Sequence, residues 1–154
     1  MGKRPKVSDA ALRSLAQYWF RAQLMRGLTH KMKGRYLSNV TKRRETAFKK
    51  RFWEFDAYVS HWLSALFVVV EGFNKLKMYD VRVQKLFKEN VGRLKQVRHE
   101  TYHFSEKMAT FEAMIGHLNW AEELHEAIGE VIGEMVHRRS QVERFLEYRA
   151  AKKK

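Results

Sequence analysis

The stretch FKKRFWEFDAYVSHWLSALFVVVEGF, residues 48–73, decides the fold class. Phe48, Phe52, Phe55, Val59, Trp62, Leu66, Val69 and Phe73 step through it by three or four. That period places the large apolar side chains on one face of a long helix. The chain's one proline, Pro5, lies far from it. The helix is therefore expected to begin near Glu45, with its stripe ending at Leu76.

The same period extends outward in both directions. Upstream, Ser8 or Asp9 can cap a first helix. Leu12, Leu15, Ala16, Trp19, Phe20 and Leu24 then recur at helical spacing. The pattern loosens between Gly27 and Gly34. Downstream, Lys77-Met78-Tyr79-Asp80 reads as a turn, with Asp80 capping a short helix from Val81 to about Lys88. Asn90 and Gly92 read as a break, and a further helix is expected from Leu94 to Met114. Gly116 and Asn119 punctuate again. A last helix from Trp120 to about Arg149 has Leu124, Ile128, Val131 or Ile132, and Met135 as its core stripe. Its row of Glu122, Glu126, Glu130 and Glu134 reads as a solvated face or as a partner for basic residues elsewhere. Long helices joined by short breaks predict an all-α fold, an antiparallel bundle of four to five helices. One domain is expected over residues 1–154, with a core at about 8–149 and basic tails at 1–7 and 150–154.

Composition narrows the function classes. A chain of 154 residues buries roughly 70% of its unfolded surface, enough for one core. With 45% hydrophobic residues, overall disorder is excluded. The absence of cysteine excludes disulfides and thiolate metal sites. The basic start leads into no apolar segment, so it is not a secretory signal, and Lys6 stands where a myristoylation motif needs Ser or Thr. The most apolar run, Trp62 to Val70, is too short to span a bilayer, which needs about 20 residues. No membrane association and a cytoplasmic location are the expectation.

Charge points to a polyanionic partner. Lys and Arg number 31 against 17 Asp and Glu, a net +14. Ten basic residues crowd between positions 26 and 51: Arg26, Lys31, Lys33, Arg35, Lys42, Arg43, Arg44, Lys49, Lys50 and Arg51, with only Glu45 opposing them in that segment. Such clusters neutralise phosphates and release counterions, giving salt-sensitive binding without sequence preference. His30 and Tyr36 lie among them and could stack on unpaired bases.

The chemistry-bearing segment is Arg98-His99-Glu100-Thr101-Tyr102-His103. Read as Arg98, a polar residue, and then His103, it resembles the R-x4-6-H motif of HEPN domains. Around it, Val69-Val70-Glu71-Gly72-Phe73-Asn74-Lys75-Leu76 resembles that family's acidic residue on the preceding long helix. Leu94-Lys95-Gln96-Val97 leads into the motif and Phe104 follows it. The resemblance spans roughly residues 45–149. His99 stands where the family commonly has Asn.

What the resemblance implies is endoribonuclease activity with no metal or cofactor, in a protein similar to HEPN-like toxins and antiphage effectors. The ribose 2′-hydroxyl would attack the adjacent phosphate and leave a cyclic phosphate. His103 would be general base or acid, and Arg98 would stabilise charge on the phosphate. Glu71 would orient one of them, with His99 and Tyr102 secondary. The implied partners are RNA, a second copy of the chain with the motif at the twofold, and a neutralising antitoxin or other protein. Tyr102, Phe104 and Met108 are candidates for the twofold contact. Positions five apart sit about 140° apart on a regular helix, so Arg98 and His103 converge only where the helix is irregular or a second copy completes the site.

Two other readings stand beside this one. His99-Glu100-Thr101-Tyr102-His103 is literally H-E-x-x-H, which puts two histidines on one helical face as zinc ligands, with Glu100 as base and Glu122 or Glu123 as a third ligand. Alternatively, the bundle is a non-catalytic nucleic-acid-binding module working through its basic segment. His61, on the apolar helix, is expected to be a core histidine, and His117, His125 and His137 form no ligand cluster.

Overall fold

The computed structural model describes residues 7–40, 45–103 and 118–151. Within them the chain forms four helices and no strand: α1 (Asp9–Val40), α2 (Glu45–Lys75), α3 (Val81–Tyr102) and α4 (Asn119–Ala151). The predicted all-α bundle is thus what the described residues build. No helix among them is long and apolar enough to cross a membrane.

Local signals set several helix ends. Ser8 accepts a hydrogen bond from the Ala11 amide at 3.2 Å, so Ser8 caps α1 and Asp9 is its first residue. Asp80 accepts from the amides of Arg82 and Val83 at 2.9 and 3.1 Å and starts α3. The end of α2 is closed by two backbone bonds: Met78 donates to Phe73 at 3.1 Å and Lys77 to Asn74 at 2.9 Å. This is a Schellman closure, with Lys77 left-handed at φ 53° in the position glycine usually takes. Phe73 and Met78, the apolar pair that accompanies such a closure, are both buried.

The break expected at Asn90 and Gly92 does not form, and the loosened stretch of the first helix stays helical. Helix α1 runs through Gly27 and Gly34, and α3 runs through Asn90 and Gly92, so the expected short helix and the motif helix are one element. Asn90 is buried, and its side-chain amide donates to the Leu86 carbonyl one turn earlier at 2.9 Å. A residue that favours turns when exposed has its polar group satisfied inside the helix. A mid-helix glycine costs about 1 kcal/mol, which packing of the helix outweighs. The expected continuation to Met114, with Phe104, Met108 and Gly116, lies outside the described residues.

The core gathers on α2. Phe55, Val59, Trp62, Leu63, Leu66, Phe67, Val69, Val70 and Phe73 are buried, joined by Leu124, Ile128 and Ile132 of α4 and Leu94 and Val97 of α3. Seven of the eight stripe residues fall in the described side chains, and all but half-buried Phe52 are buried. On α1 the expectation needs correction. Leu12, Leu15 and Ala22 are buried, but Phe20 and Leu24 are exposed. The buried line of α1 continues instead through Thr29 and Met32. An apolar count along α1 follows two faces at once, and only contact with α2 selects one.

Two glycines set helix spacing. A Cβ on Gly72 would come within 2.9 Å of Leu15, and one on Gly129 within 2.6 Å of the Trp19 ring. Their missing side chains let α1 lie close to α2 and α4.

Candidate functional site

Helix α3 ends one residue before His103. The His103 amide still donates to the His99 carbonyl at 2.8 Å, but its backbone is extended at φ −131°, ψ 140°. The motif therefore lies at an irregular helix end. Arg98 is still helical while His103 has left the helix, and both line one open cleft of about 630 Å³ between α2 and α3. The backbone turns from helical to extended at the motif's last residue, and both side chains border the cleft there.

Three further sequence-predicted residues line the cleft with them, Glu71, His99 and Tyr102, and so does Lys95, which the sequence had offered only as part of the lead-in to the motif. Glu71 of α2 approaches Arg98 at 3.8 Å. Both are about half exposed, so this contact orients rather than stabilises. The Arg98 guanidinium also lies 5.3 Å from the centroid of the Phe67 ring. That cation–π contact with a buried residue holds the guanidinium itself against the wall of the cleft. The His99 and His103 rings lie 4.9 Å apart at 31°. Tyr102 is exposed and meets His61 edge-on at 6.0 Å. Thr101 anchors the helix end: it donates to the Val97 carbonyl at 2.7 Å and receives the Ser64 hydroxyl at 3.2 Å.

Phe67 and Val68, which form the apolar wall, were not singled out as site residues. Phe67 stands four residues before Glu71 and Lys95 three before Arg98, so helical spacing from the motif residues would have found both. On α2, Asp56 is half-buried, and burial, reinforced by the Glu100 charge, holds its carboxyl above the ordinary range.

The metal alternative is not assembled. Among the described residues no group of three or more His, Asp or Glu side chains is placed to hold a metal ion. Glu122, its expected third ligand, lies instead on the seam between α1 and α4. There it pairs with Arg26 and, at 3.0 Å, with His30. Glu123 lines a different groove, with Trp120 and Arg82.

The basic segment divides. Lys31, Lys33, Arg35 and Lys50 are exposed. Arg51 is paired with Glu54 at 2.7 Å. Arg26 is not available to phosphate, because it joins Glu122 and Glu126 on α4. Lys42, Arg43 and Arg44 lie outside the described residues, as do the side chains of Tyr36 and Lys49. The glutamate row of α4 is thus a set of partners: Glu122 and Glu126 for Arg26, Glu130 for Arg82 at 2.5 Å, and Glu134 for Arg138 at 3.4 Å.

The histidines also exchange roles. His61 is exposed, contrary to expectation, and the core histidine is His125. The Trp62 indole donates to His125 Nδ1 at 3.3 Å. An indole N–H cannot accept, so Nε2 carries the ring proton and donates to Gln23 Oε1 at 2.7 Å. Burial, with the nearby Arg26 charge second, lowers the His125 pKa to about 4. It is neutral at physiological pH.

Comparison of the chain with models of known protein families, with curated proteins and with solved structures returned no match.

Proposed function

We propose that the chain is a HEPN-like, metal-independent endoribonuclease acting through the cleft between α2 and α3. The observation that carries this reading is the convergence of Arg98 and His103 on one cleft, with Glu71 against Arg98. An exposed guanidinium can grip a phosphate through two parallel hydrogen bonds, and an imidazole beside it can move a proton near neutral pH.

In the reaction, His103 takes the proton of the ribose 2′-hydroxyl as its oxygen attacks the neighbouring phosphorus. Arg98 stabilises the added negative charge. The bond from phosphorus to the 5′-oxygen breaks, and that oxygen takes a proton from a second acid. The products are a 2′,3′-cyclic phosphate and a 5′-hydroxyl. In-line attack puts nucleophile and leaving group on opposite sides of phosphorus, so two neighbouring imidazoles such as His99 and His103 are poorly placed for both roles. A second copy of the chain, offering its own His103 from across a twofold axis, meets that requirement. Exposed Tyr102 beside the cleft suits such a contact.

The decisive experiment is cleavage of RNA by purified protein in excess EDTA, with Arg98→Ala and His103→Ala alongside. The proposal expects EDTA-resistant cleavage that falls at least about a hundredfold in each variant. Equal activity in all three proteins would remove it. A second reading, a non-catalytic nucleic-acid-binding module, is favoured by the exposure of Lys31, Lys33, Arg35 and Lys50. It expects RNA retention that ignores His103 but weakens, with a shallower salt dependence, when those four are neutralised.

A further inference from the structure

On the other side of α2 from the Arg98 cleft lies a second groove, of about 760 Å³, between α1 and the end of α2. Ser14 and Tyr18 line it from α1, and Gly72 and Lys75 from α2. Val68 and Glu71 line both this groove and the Arg98 cleft, so the two meet along α2. The groove follows from local packing. Gly72 lets Leu15 close against α2, which sets Tyr18, one turn further along α1, beside the groove.

Tyr18 is 45% exposed, although it is a large aromatic on a helix with a well-filled inner face. The Arg21 guanidinium lies 5.5 Å from its ring centroid. The ring is thus partly open to solvent in a groove and beside a cation, and stacking of an aromatic on a base is insensitive to which base it is. Charge around the two clefts favours a polyanion. Arg21 and Lys75 flank the groove and Lys95 and Arg98 the cleft. The carboxylate they share, Glu71, is engaged with Arg98. An isolated surface tyrosine is ordinary. A tyrosine beside an arginine, in a groove that shares Val68 and Glu71 with a cleft carrying Lys95 and Arg98, is a strand-binding arrangement.

We infer that Tyr18 is a stacking platform for an unpaired base of a single-stranded RNA that crosses α2 from the Arg98 cleft to α1. The inference rests on the reading of that cleft as an RNA site, and it specifies the substrate as single-stranded. Duplex RNA keeps its bases stacked on one another and has none to offer Tyr18.

The test uses the full chain carrying His103→Ala, to prevent cleavage, and a fluorescent twelve-nucleotide RNA of mixed sequence, presented single-stranded and as a duplex. Adding Tyr18→Ala should lower single-strand affinity about tenfold. It should leave duplex affinity and the salt slope unchanged, because no charge is removed. Tyr18→Phe should restore binding, since the ring and not the hydroxyl is needed. Unchanged thermal melting of both variants establishes that the fold is intact. Equal single-strand binding by Tyr18→Ala, an equal loss on duplex, or failure of Tyr18→Phe to restore affinity would overturn the platform. If the parent chain binds and the native chain cleaves single-stranded RNA while Tyr18→Ala binds normally, the platform alone fails. If neither RNA is bound by any form of the chain, the RNA reading of the cleft fails with it.

Discussion

The His125 network and the Arg98 cleft are built from the same residue types and do opposite things with them. Around His125, a histidine, an arginine, two glutamates and two tryptophans are locked together. Trp62 and Gln23 take both ring nitrogens, Trp19 donates to the His125 carbonyl at 3.2 Å, and Arg26 joins Glu122 and Glu126. No buried side-chain polar atom among the described residues lacks a partner. In the cleft, two histidines, an arginine and a glutamate stand half open to solvent, with one loose ion pair among them. Chemistry needs groups that can still bind and titrate. The buried network holds α1, α2 and α4 in register and has nothing left to offer a substrate.

That contrast can be broken from the buried side first. His125→Ala removes a fully packed ring and leaves the Trp62 indole and Gln23 without partners, and should cost about 3 kcal/mol by urea unfolding. A loss under about 1 kcal/mol would mean the network is not a structural unit.

The pH dependence sharpens the same point. The His125 pKa is about 4 in the folded state against 6.5 as its ordinary value. Between those values the unfolded chain binds a proton that the folded chain refuses. Stability is therefore fully present above pH 6.5 and declines as pH falls towards 4, by about 3 kcal/mol from this residue at 1.36 kcal/mol per unit. Subtracting the pH profile of His125→Gln from that of the native chain should isolate this slope, and parallel profiles would assign it elsewhere.

A smaller effect is expected where the seam has no room. Gly129→Ala forces a methyl group against the Trp19 ring, and should cost about 1–3 kcal/mol unless the ring can shift. A neutral result in thermal unfolding would show that α4 can move away from α1.

The smallest effect belongs to the open region. Arg98→Ala and His103→Ala should each change unfolding free energy by less than about 0.5 kcal/mol, since exposed groups contribute little to stability. A change comparable to that of His125→Ala would make the cleft a structural feature as well, and would remove the contrast between the two regions.

Much of the fold was legible because it depends on local rules. The stripe from Phe52 to Phe73, the Asp80 cap and the turn at Lys77–Asp80 were readable from spacing and residue type, and the first cap was narrowed to Ser8 or Asp9. The break expected at Asn90–Gly92 was misread for a physical reason. Turn propensity describes a residue exposed to water, and Asn90 is instead buried with its amide bonded to Leu86. The candidate site was legible in its residues but not in its geometry. Arg98, Glu71 and His103 could be named from the motif, yet spacing alone set them apart on the helix.

The sequence by itself determined that the chain is helical, where its strongest apolar face runs, and that it is strongly basic, because periodicity and charge are properties of the residues in order. Only the tertiary structure decided which histidine is buried, which end of the helix carries the motif, and which of the described clustered cations are paired. Those outcomes depend on what each side chain meets across a helix–helix seam. Arg26 belongs to the basic run along the chain, but in space it belongs to Glu122 and Glu126, because α4 packs against α1 at that level.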